Sequence, residues 1–405
     1  MSASLRVVVN PGAAAQGEAY GPDRANALPA EAFAQAHAEI ASWPGYAPTP
    51  LLSLPALAQK SGLAAIHYKD EGPRFGLDSF KALGGAYAVF RVIARELSRR
   101  GVAEHVTLDD LVARRHAAHV CEVTVTSATD GNHGRSVAWG ARMLGCRAVI
   151  FIHATVSESR RAAIAGYGAE VVRTAGGYDD SVRHAFAEAL RHGWHVVQDT
   201  ARGDYREVPA DITSGYGVIA AEIMDQMVEP PTHALVQAGV GGLASAICAQ
   251  FWIGWGARRP RFIVLEPAGA DCVFQSIEAG RQVVVTGDLE TVMAGLSCGE
   301  VSDLAWEILK GGADAAIAID DAFALDGMRA LADPAGGDPP VVGGECSGGA
   351  VGALLALAQR PELMAMLGLD RSSRVLLIGT EGATDPEIYT RVVGRSAADV
   401  RAQRR

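Results

Sequence analysis

Short apolar runs alternate along this chain with longer stretches in which apolar residues recur every three or four positions. The first pattern is typical of buried strands and the second of amphipathic helices. The predicted strands are 65–68, 123–128, 148–153, 170–174, 194–198, 234–237, 262–265 and 374–378. The predicted helices are 31–42, 82–97, 108–115, 135–144, 158–167, 178–191, 212–227, 242–252 and 272–279, with one more near Asp385. This spacing predicts βαβ units and therefore an α/β fold whose sheets are mostly parallel and flanked by helices.

The length of 405 residues exceeds what one small core accommodates, so two lobes are expected. Residues 1–85 and 220–405 are predicted to form a large domain, and residues 86–219 a small one. Residues 1–30 are small and polar, with prolines and glycines, and predict a loosely attached arm. Parallel sheets bind ligands beyond the carboxyl ends of their strands, so residues that follow strands are the first candidates for a site.

Lys81 is the most informative single residue of the chain. It lies where a loop becomes a helix, between Phe80 and Leu83 and just before Gly84 and Gly85. Apolar surroundings disfavour a charged amine, so its pKa is expected to fall and the amine to become a nucleophile. The two glycines carry no side chain and would let a flat ring lie close to the helix backbone. The alternative interpretation is a solvated lysine at the start of a helix.

Two further strand ends carry polar side chains suited to catalysis. Residues 129–134 (TDGNHG) close one strand and open a helix, and Asp199 closes another. The Asn132 amide can donate to an aromatic hydroxyl, while Asp130 and Asp199 can take a proton or hold an ammonium group. The alternatives are structural: a helix N-cap at Asp130 or Asn132, and a turn at Asp199.

A glycine-rich loop and a late threonine complete the candidate residues. Residues 238–243 (AGVGGL) follow a strand and open a helix, an arrangement that cradles phosphate. Ala244 departs from the dinucleotide fingerprint, and no lysine follows as in a Walker loop. Close helix–strand packing is the alternative. Thr380 ends the last strand, where its hydroxyl can meet a ring nitrogen or can serve only a turn. Two weaker segments, 293–300 and 344–351, are also candidates to line the site.

The stretch around Lys81 resembles a known family. Ser79, Phe80 and Lys81 with the two glycines resemble the cofactor lysine of fold-type II pyridoxal-phosphate enzymes, the group of tryptophan synthase β and threonine dehydratase. The fuller string over residues 75–87, FGLDSFKALGGAY, is similar to the diaminopropionate ammonia-lyase family. Threonine dehydratases usually have arginine where this chain has Leu83. The resemblance extends from about residue 46 to residue 385.

The resemblance implies a two-lobed fold-type II enzyme whose large domain binds pyridoxal 5′-phosphate. It implies that Lys81 carries the cofactor, that Asn132 binds the 3′-oxygen and that Thr380 meets the pyridine nitrogen. The residues implied to bind the phosphate are Gly239, Val240, Gly241, Gly242 and Leu243. The implied reaction converts 2,3-diaminopropionate to pyruvate and ammonia. Asp130 and Asp199 are then implied to serve catalysis and to recognise the second amine.

Two other functions remain open from the sequence. One is a serine, threonine or hydroxy-amino-acid dehydratase on the same fold, against which Leu83 and Asp199 argue. The other is a non-catalytic ligand-binding protein that uses only the glycine loop.

Composition narrows the partners of the chain. The net charge of −10 offers no basic surface for nucleic acid. The six cysteines include no Cys-x-x-Cys pair, so reduced thiols in a cytoplasmic enzyme are expected, with neither a metal site nor a disulfide framework. Residues 234–255 are apolar but include glutamines and glycines, and they predict a buried strand, loop and helix instead of a membrane span. The expected partners are a small amino-acid substrate and a second copy of the chain.

Overall fold

The computed structural model describes residues 3–129 and 131–403, without the side chain of Asp179. The chain divides into two compact units. The first comprises Met1–Ala30, Pro48–Ser79 and Ile219–Arg405, and the second comprises Glu31–Ala47 and Phe80–Val218. The domain boundaries at 85/86 and 219/220, and the assignment of the cofactor to the large domain, stay predictions.

The elements alternate as the hydrophobic pattern predicts. The strands, in chain order, are β1 (Leu5–Val9), β2 (Leu51–Ser53), β3 (Ala65–Asp70), β4 (Thr124–Thr129), β5 (Arg147–Ile152), β6 (Glu170–Arg173), β7 (His195–Val196), β8 (His233–Gln237), β9 (Arg261–Pro267), β10 (Ala315–Ile319) and β11 (Arg374–Gly379). The α-helices are α1 (Gly21–Ala27), α2 (Ala30–Ala41), α3 (Pro55–Lys60), α4 (Ala82–Arg99), α5 (Leu108–Val112), α6 (Ala117–Val120), α7 (Asn132–Leu144), α8 (Glu158–Ala165), α9 (Tyr178–His192), α10 (Glu207–Gln226), α11 (Gly242–Trp255), α12 (Cys272–Ala279), α13 (Asp303–Gly312), α14 (Asp321–Ala332), α15 (Glu345–Leu357), α16 (Pro361–Leu367), α17 (Pro386–Val393) and α18 (Ala397–Ala402).

The first unit is built on a seven-stranded sheet in the order β1-β10-β9-β8-β11-β3-β2. The five inner strands run parallel, and the edge strands β1 and β2 pair antiparallel with β10 and β3. Strands β8 and β10 are buried along their whole length. Helices cover both faces of such a parallel sheet, which explains why these strands appear in the sequence as unbroken apolar runs.

The second unit contains a four-stranded parallel sheet in the order β6-β5-β4-β7. Its central strand β4 is buried throughout. A small core cluster joins β4 and β5 to α9 through Ala128, Val149, Phe151 and Ala185. The prediction of two mostly parallel α/β sheets flanked by helices is therefore confirmed.

A buried ionic network fixes the segment that leads from β3 towards Lys81. Lys69 donates to Glu222 Oε2 at 2.6 Å, and Arg74 donates to both oxygens of Glu222 and of Glu71 at 2.7–2.8 Å. All four side chains are at most 2% exposed. The backbone oxygen of Thr49 accepts a further bond from Lys69. Removing one member would leave a buried charge without its counterion, so the network holds this segment in one conformation.

The predicted loose arm over residues 1–30 is wrong. Residues Leu5–Val9 form β1, which pairs with β10 from Leu5–Ile319 to Val9–Ala315. Leu5 and Val7 pack against the core of the first unit. The alternating apolar positions of a short edge strand outweigh the prolines and glycines that follow them. The helix α1 also lies in this region.

The bounds of two other helices differ from the prediction. The helix predicted over 108–115 ends at Val112, because Arg114 adopts a positive φ of 60°. The helix predicted over 212–227 begins earlier, at Glu207. The sequence analysis did not predict β10 or the helices α13 to α16. The apolar stretch 234–255 forms β8, a loop and α11, as predicted.

The membrane test gives a narrow result. Across the parts of the chain that the structure describes, no single helix is long and apolar enough to cross a bilayer. Among the described residues, only the helix pair Glu345–Leu357 and Pro361–Leu367, bent by 114°, passes the test by length and composition.

Candidate active site

Lys81 forms an ion pair with Asp199 within the second unit. Its Nζ atom donates to Asp199 Oδ2 at 2.9 Å, and the two side chains are 17% and 13% exposed. Lys81 occupies the N-cap position of α4, directly before Ala82. Asp199 follows the short strand β7. The structure thus brings together a predicted cofactor lysine and one predicted carboxylate that are 118 positions apart.

Two aromatic rings lie beside the Lys81 amine. The Nζ atom is 5.4 Å from the ring centroid of Phe80 and 5.5 Å from that of Tyr216. The rings contact each other edge to face, with centroids 4.8 Å apart and planes at 65°. Tyr216 is 1% exposed. The sequence analysis missed Tyr216, and the available signal was its position between Gly215 and Gly217 in a predicted helix.

The charge of Lys81 differs from the sequence prediction. Burial by itself lowers the pKa of Lys81, but Tyr216 and the Asp199 carboxylate more than offset it, so the pKa is raised. Burial would raise the pKa of Asp199, but Lys81 and then His133 lower that pKa to about 2. Burial raises the pKa of Tyr216 to about 12 despite the opposing effect of Lys81. The predicted fall in the Lys81 pKa is therefore wrong, and the pair is ammonium and carboxylate.

Gly84 and Gly85 serve helix packing. A Cβ at Gly84 would lie 2.4 Å from Tyr216 Cε1, and one at Gly85 would lie 1.9 Å from Ser136 Oγ. The space next to α4 is thus filled by side chains of α10 and α7. The interpretation that these glycines leave room for a flat ring is wrong, because neighbouring helices occupy that room.

The turn after β4 is capped by its own strand. Thr129 Oγ1 accepts from the backbone N–H groups of Gly131 at 3.0 Å and Gly134 at 3.1 Å. Gly131 holds the N-cap position of α7, so Asn132 is the first residue of the helix and not its cap. His133 Nε2 lies 2.8 Å from the Val197 carbonyl oxygen and so ties this turn to the segment that carries Asp199. Asp130 lies outside the described residues.

The glycine loop lies between β8 and α11 in the first unit. Helix α11 has 14 residues and begins at Gly242, after Gly241 with a φ of 91°. The first N–H groups of a helix, here those of Gly242 and Leu243, have no partner within it and favour an anion. A Cβ at Gly239 would lie 3.0 Å from Cys298 Sγ. A Cβ at Gly241 would lie 2.9 Å from Ala305 Cβ, so this loop is also tightly packed.

Thr380 directly follows β11 in the same unit. Its side chain is 3% exposed, and its Oγ1 has no hydrogen-bond partner among residues 3–129 and 131–403. The nearby Ser347 hydroxyl donates to the Glu381 carbonyl at 2.7 Å and accepts from the Glu381 N–H at 2.9 Å. Ser347 therefore fixes the strand end, while the Thr380 hydroxyl remains available to a ligand.

Comparison with known proteins identifies the class of the chain. The model of the family "Pyridoxal-phosphate dependent enzyme" matches residues 42–378. The chain belongs to the pyridoxal-phosphate-dependent enzymes, with the fold-type II architecture, and its cofactor is pyridoxal phosphate.

Within that family the chain is similar to diaminopropionate ammonia-lyase. It is 41% identical over 366 residues to that protein from Escherichia coli (strain K12), covering 89% of each chain. The crystal structure of the holo Escherichia coli enzyme matches with a TM-score of 0.85 and 38% identity, covering 97% of each chain. Its complex with D-serine matches with a TM-score of 0.84 and 37% identity, covering 98% of this chain and 99% of that one.

The residues present fit this cofactor. Thr380 offers a buried hydroxyl without a partner among the described residues, as a ring nitrogen requires. The start of α11 offers backbone N–H groups to a phosphate. Lys81 offers an amine, held beside the Asp199 carboxylate at 2.9 Å. Each of these groups suits one part of the cofactor.

Proposed function

We propose that this enzyme converts 2,3-diaminopropionate and water to pyruvate and two molecules of ammonia. The observation that carries the proposal is the 2.9 Å pair of Lys81 and Asp199, which sets a carboxylate beside the proposed cofactor amine. Diaminopropionate differs from serine by an amine in place of the hydroxyl. A buried carboxylate favours the ammonium group through a charge-assisted hydrogen bond. The similarity to diaminopropionate ammonia-lyase supports the same substrate.

The residues take the following proposed roles. Lys81 holds the cofactor covalently, Asn132 binds its 3′-oxygen and Thr380 meets its ring nitrogen. Backbone N–H groups of the glycine loop, residues 239–243, bind its phosphate. When bound, the cofactor withdraws electrons from the substrate and thereby acidifies its α-proton.

Proton transfer falls to the amine and the carboxylates. Lys81 Nζ or Asp130 takes the α-proton, according to the configuration of the substrate. Asp199 holds the ammonium group at the β-carbon, and this group leaves as ammonia. The Asp199 pKa of about 2 keeps its carboxylate charged at neutral pH.

The test is a comparison of two substrates. Replacing Asp199→Asn removes a charge-assisted bond, so kcat/KM for diaminopropionate should fall roughly ten- to hundredfold. The fall should be smaller for serine, whose hydroxyl gains less from a carboxylate. Asp130→Asn should mainly slow the reaction of one enantiomer. Both amino acids are assayed for pyruvate in both configurations.

A surface variant serves as the control, and the substrate preference of the wild type is a second test. Asp326→Asn changes an exposed ion pair with Arg329 and should leave both substrates unaffected. Equal losses on diaminopropionate and serine in the Asp199 variant would remove its recognition role. A wild-type preference for serine or threonine would replace the proposed substrate.

The assembly and location are part of the same proposal. We expect a homodimer in the cytoplasm, supported by the resemblance to the family and by cysteines without a disulfide framework. Light scattering of the purified protein tests the homodimer, and a monomeric mass would contradict it.

A further inference from the structure

The rings of Phe80 and Tyr216 lie beside Lys81 and have no role in the proposed reaction. Both rings lie about equally far from Nζ, at 5.4 and 5.5 Å, which is within reach of a cation–π contact. Such contacts are stronger when the cation is shielded from water, and the Lys81 side chain is only 17% exposed.

The backbone of two helices is adapted to hold Tyr216 in this place. Gly84 on α4 leaves the space that the Tyr216 ring fills. On α10, a Cβ at Gly215 would lie 2.0 Å from the Leu83 carbonyl oxygen, so only glycine lets the helices approach this closely. The close approach brings Tyr216 to the base of α4, where Lys81 lies. The ring is therefore set by packing and has little freedom to turn away.

Charged and titratable groups of the described residues surround Lys81 at two distances. In the described part of the chain, Asp199 pairs with it directly and Tyr216 lies beside it. His133 and Tyr205 act one step further out, through their interactions with Asp199. The amine thus meets both a carboxylate and two aromatic rings.

We propose that Tyr216 is a positioning residue that, with Phe80, holds the Lys81 amine against Asp199. This inference rests on the proposed role of Lys81 as the cofactor lysine. The ring restricts the rotation of the flexible lysine side chain. The electron-rich ring face and the phenol oxygen stabilise positive charge on Nζ.

The test measures the reactivity of Lys81 in the cofactor-free protein. Acetic anhydride acylates only the neutral amine, and peptide mass spectrometry reads its rate at each lysine. Tyr216→Phe should raise the Lys81 rate at pH 9 about tenfold, because a fall of one pKa unit gives ten times more neutral amine. Tyr216→Leu, which also removes the ring, should raise it at least as much.

Tyr87→Phe is the matched control. Tyr87 is a buried tyrosine on α4, the helix that follows Lys81, and it stacks on Phe90. Its variant should keep the wild-type Lys81 rate. Wild-type Lys81 reactivity in folded Tyr216→Phe overturns the proposal. If Tyr216→Phe does not fold, the acylation rate of Lys81 is measured in Phe80→Leu instead. An unchanged rate in Phe80→Leu also overturns the proposal.

A second measurement separates this inference from the proposed function. Borohydride reduction of the holoenzyme followed by peptide mapping identifies the lysine that carries the cofactor. A label on another lysine ends the proposed role of Lys81, whatever the acylation rates. A label on Lys81 together with unchanged rates in the Tyr216 variants ends only the inference about Tyr216.

Discussion

Lys81 illustrates how one side chain carries two opposing influences. Its apolar neighbours and its burial favour the neutral amine, whereas Asp199 at 2.9 Å favours the ammonium form. The second influence prevails, so the pKa of Lys81 is raised. Binding of an aldehyde cofactor requires the neutral amine, so loss of the proton from Lys81 must accompany cofactor capture.

Cofactor capture by the cofactor-free enzyme should therefore depend on pH. Because the Lys81 pKa is raised above its usual value, the neutral fraction grows about tenfold per pH unit from pH 6 to 10, and the capture rate should rise with it. Asp199→Asn removes the counterion, lowers the Lys81 pKa and should speed capture at pH 7. Stopped-flow absorbance of added pyridoxal phosphate measures the rate.

The surface variant Asp326→Asn again provides the reference for capture and should follow the wild-type pH profile. A flat profile in the wild type, or slower capture at pH 7 by the Asp199 variant, would contradict this account.

From the sequence, Lys81, Asp199 and Thr380 could be chosen as candidates because each lies at a strand end or a loop-to-helix junction. Their roles at the cofactor stay predictions. The sequence did not suffice for the sign of the Lys81 pKa shift. That sign depends on a carboxylate 118 positions away and on the Tyr216 ring, whose proximity arises only from helix packing. The roles of the glycines in residues 238–243 also remain predictions. Their tight packing fits a structural role, and their backbone N–H groups fit phosphate binding.

Helix α4 shows how closely packed elements constrain single positions. It approaches α7 and α10 at two successive glycines, Gly84 and Gly85. The same glycines had suggested space for a ligand in the sequence. A glycine pair alone does not distinguish room for a ligand from room for a neighbouring helix.

Gly85→Ala should destabilise the protein by about 1–3 kcal/mol, since its Cβ would lie 1.9 Å from Ser136 Oγ. Adding Ser136→Ala should restore part of this loss, because the next nearest atom, Ser136 Cβ, is 3.1 Å away. Urea unfolding followed by circular dichroism measures the free energy of unfolding.

The control for the Gly85 variant is Gly177→Ala, because no atom lies within 4 Å of the Cβ that alanine would add there. Gly177 is the N-cap residue of α9, where alanine is a poorer cap, so this change should cost about 0.5–1 kcal/mol, and adding Ser136→Ala should not restore it. A double variant no more stable than Gly85→Ala alone would show that the clash is not with the serine hydroxyl.

Across the whole molecule, the alternation of strands and helices was predictable because buried parallel strands and amphipathic helices leave distinct periods in the sequence. The pairing of β1 at the edge of the first sheet was not predictable. β1 is a short strand whose partner β10 lies about three hundred positions later, and no local pattern records that pairing.

Removing residues 1–9 should expose the edge of β10, an apolar strand with the sequence AAIAI. Unpaired edges of this kind promote association with other chains, so the truncated protein should unfold at a lower temperature and aggregate on heating. Calorimetry with light scattering follows both effects.

Val9→Thr provides the contrast, because Val9 is 42% exposed and its backbone pairing is retained. The midpoint temperature of its thermal unfolding should stay close to that of the wild type. A truncated protein as stable and as monodisperse as the Val9 variant would show that β1 adds nothing to the sheet.

The discontinuous first unit has a consequence for how the protein is made. Its opening segment ends at Ala30, but the strand that pairs with β1 is not translated until residues 315–319. The second unit is complete in the chain at Val218. Because domains tend to fold as they leave the ribosome, the second unit can fold first, while residues 1–30 wait for their partner strand. Until then, the nascent chain carries a short apolar segment that chaperones at the tunnel exit can bind.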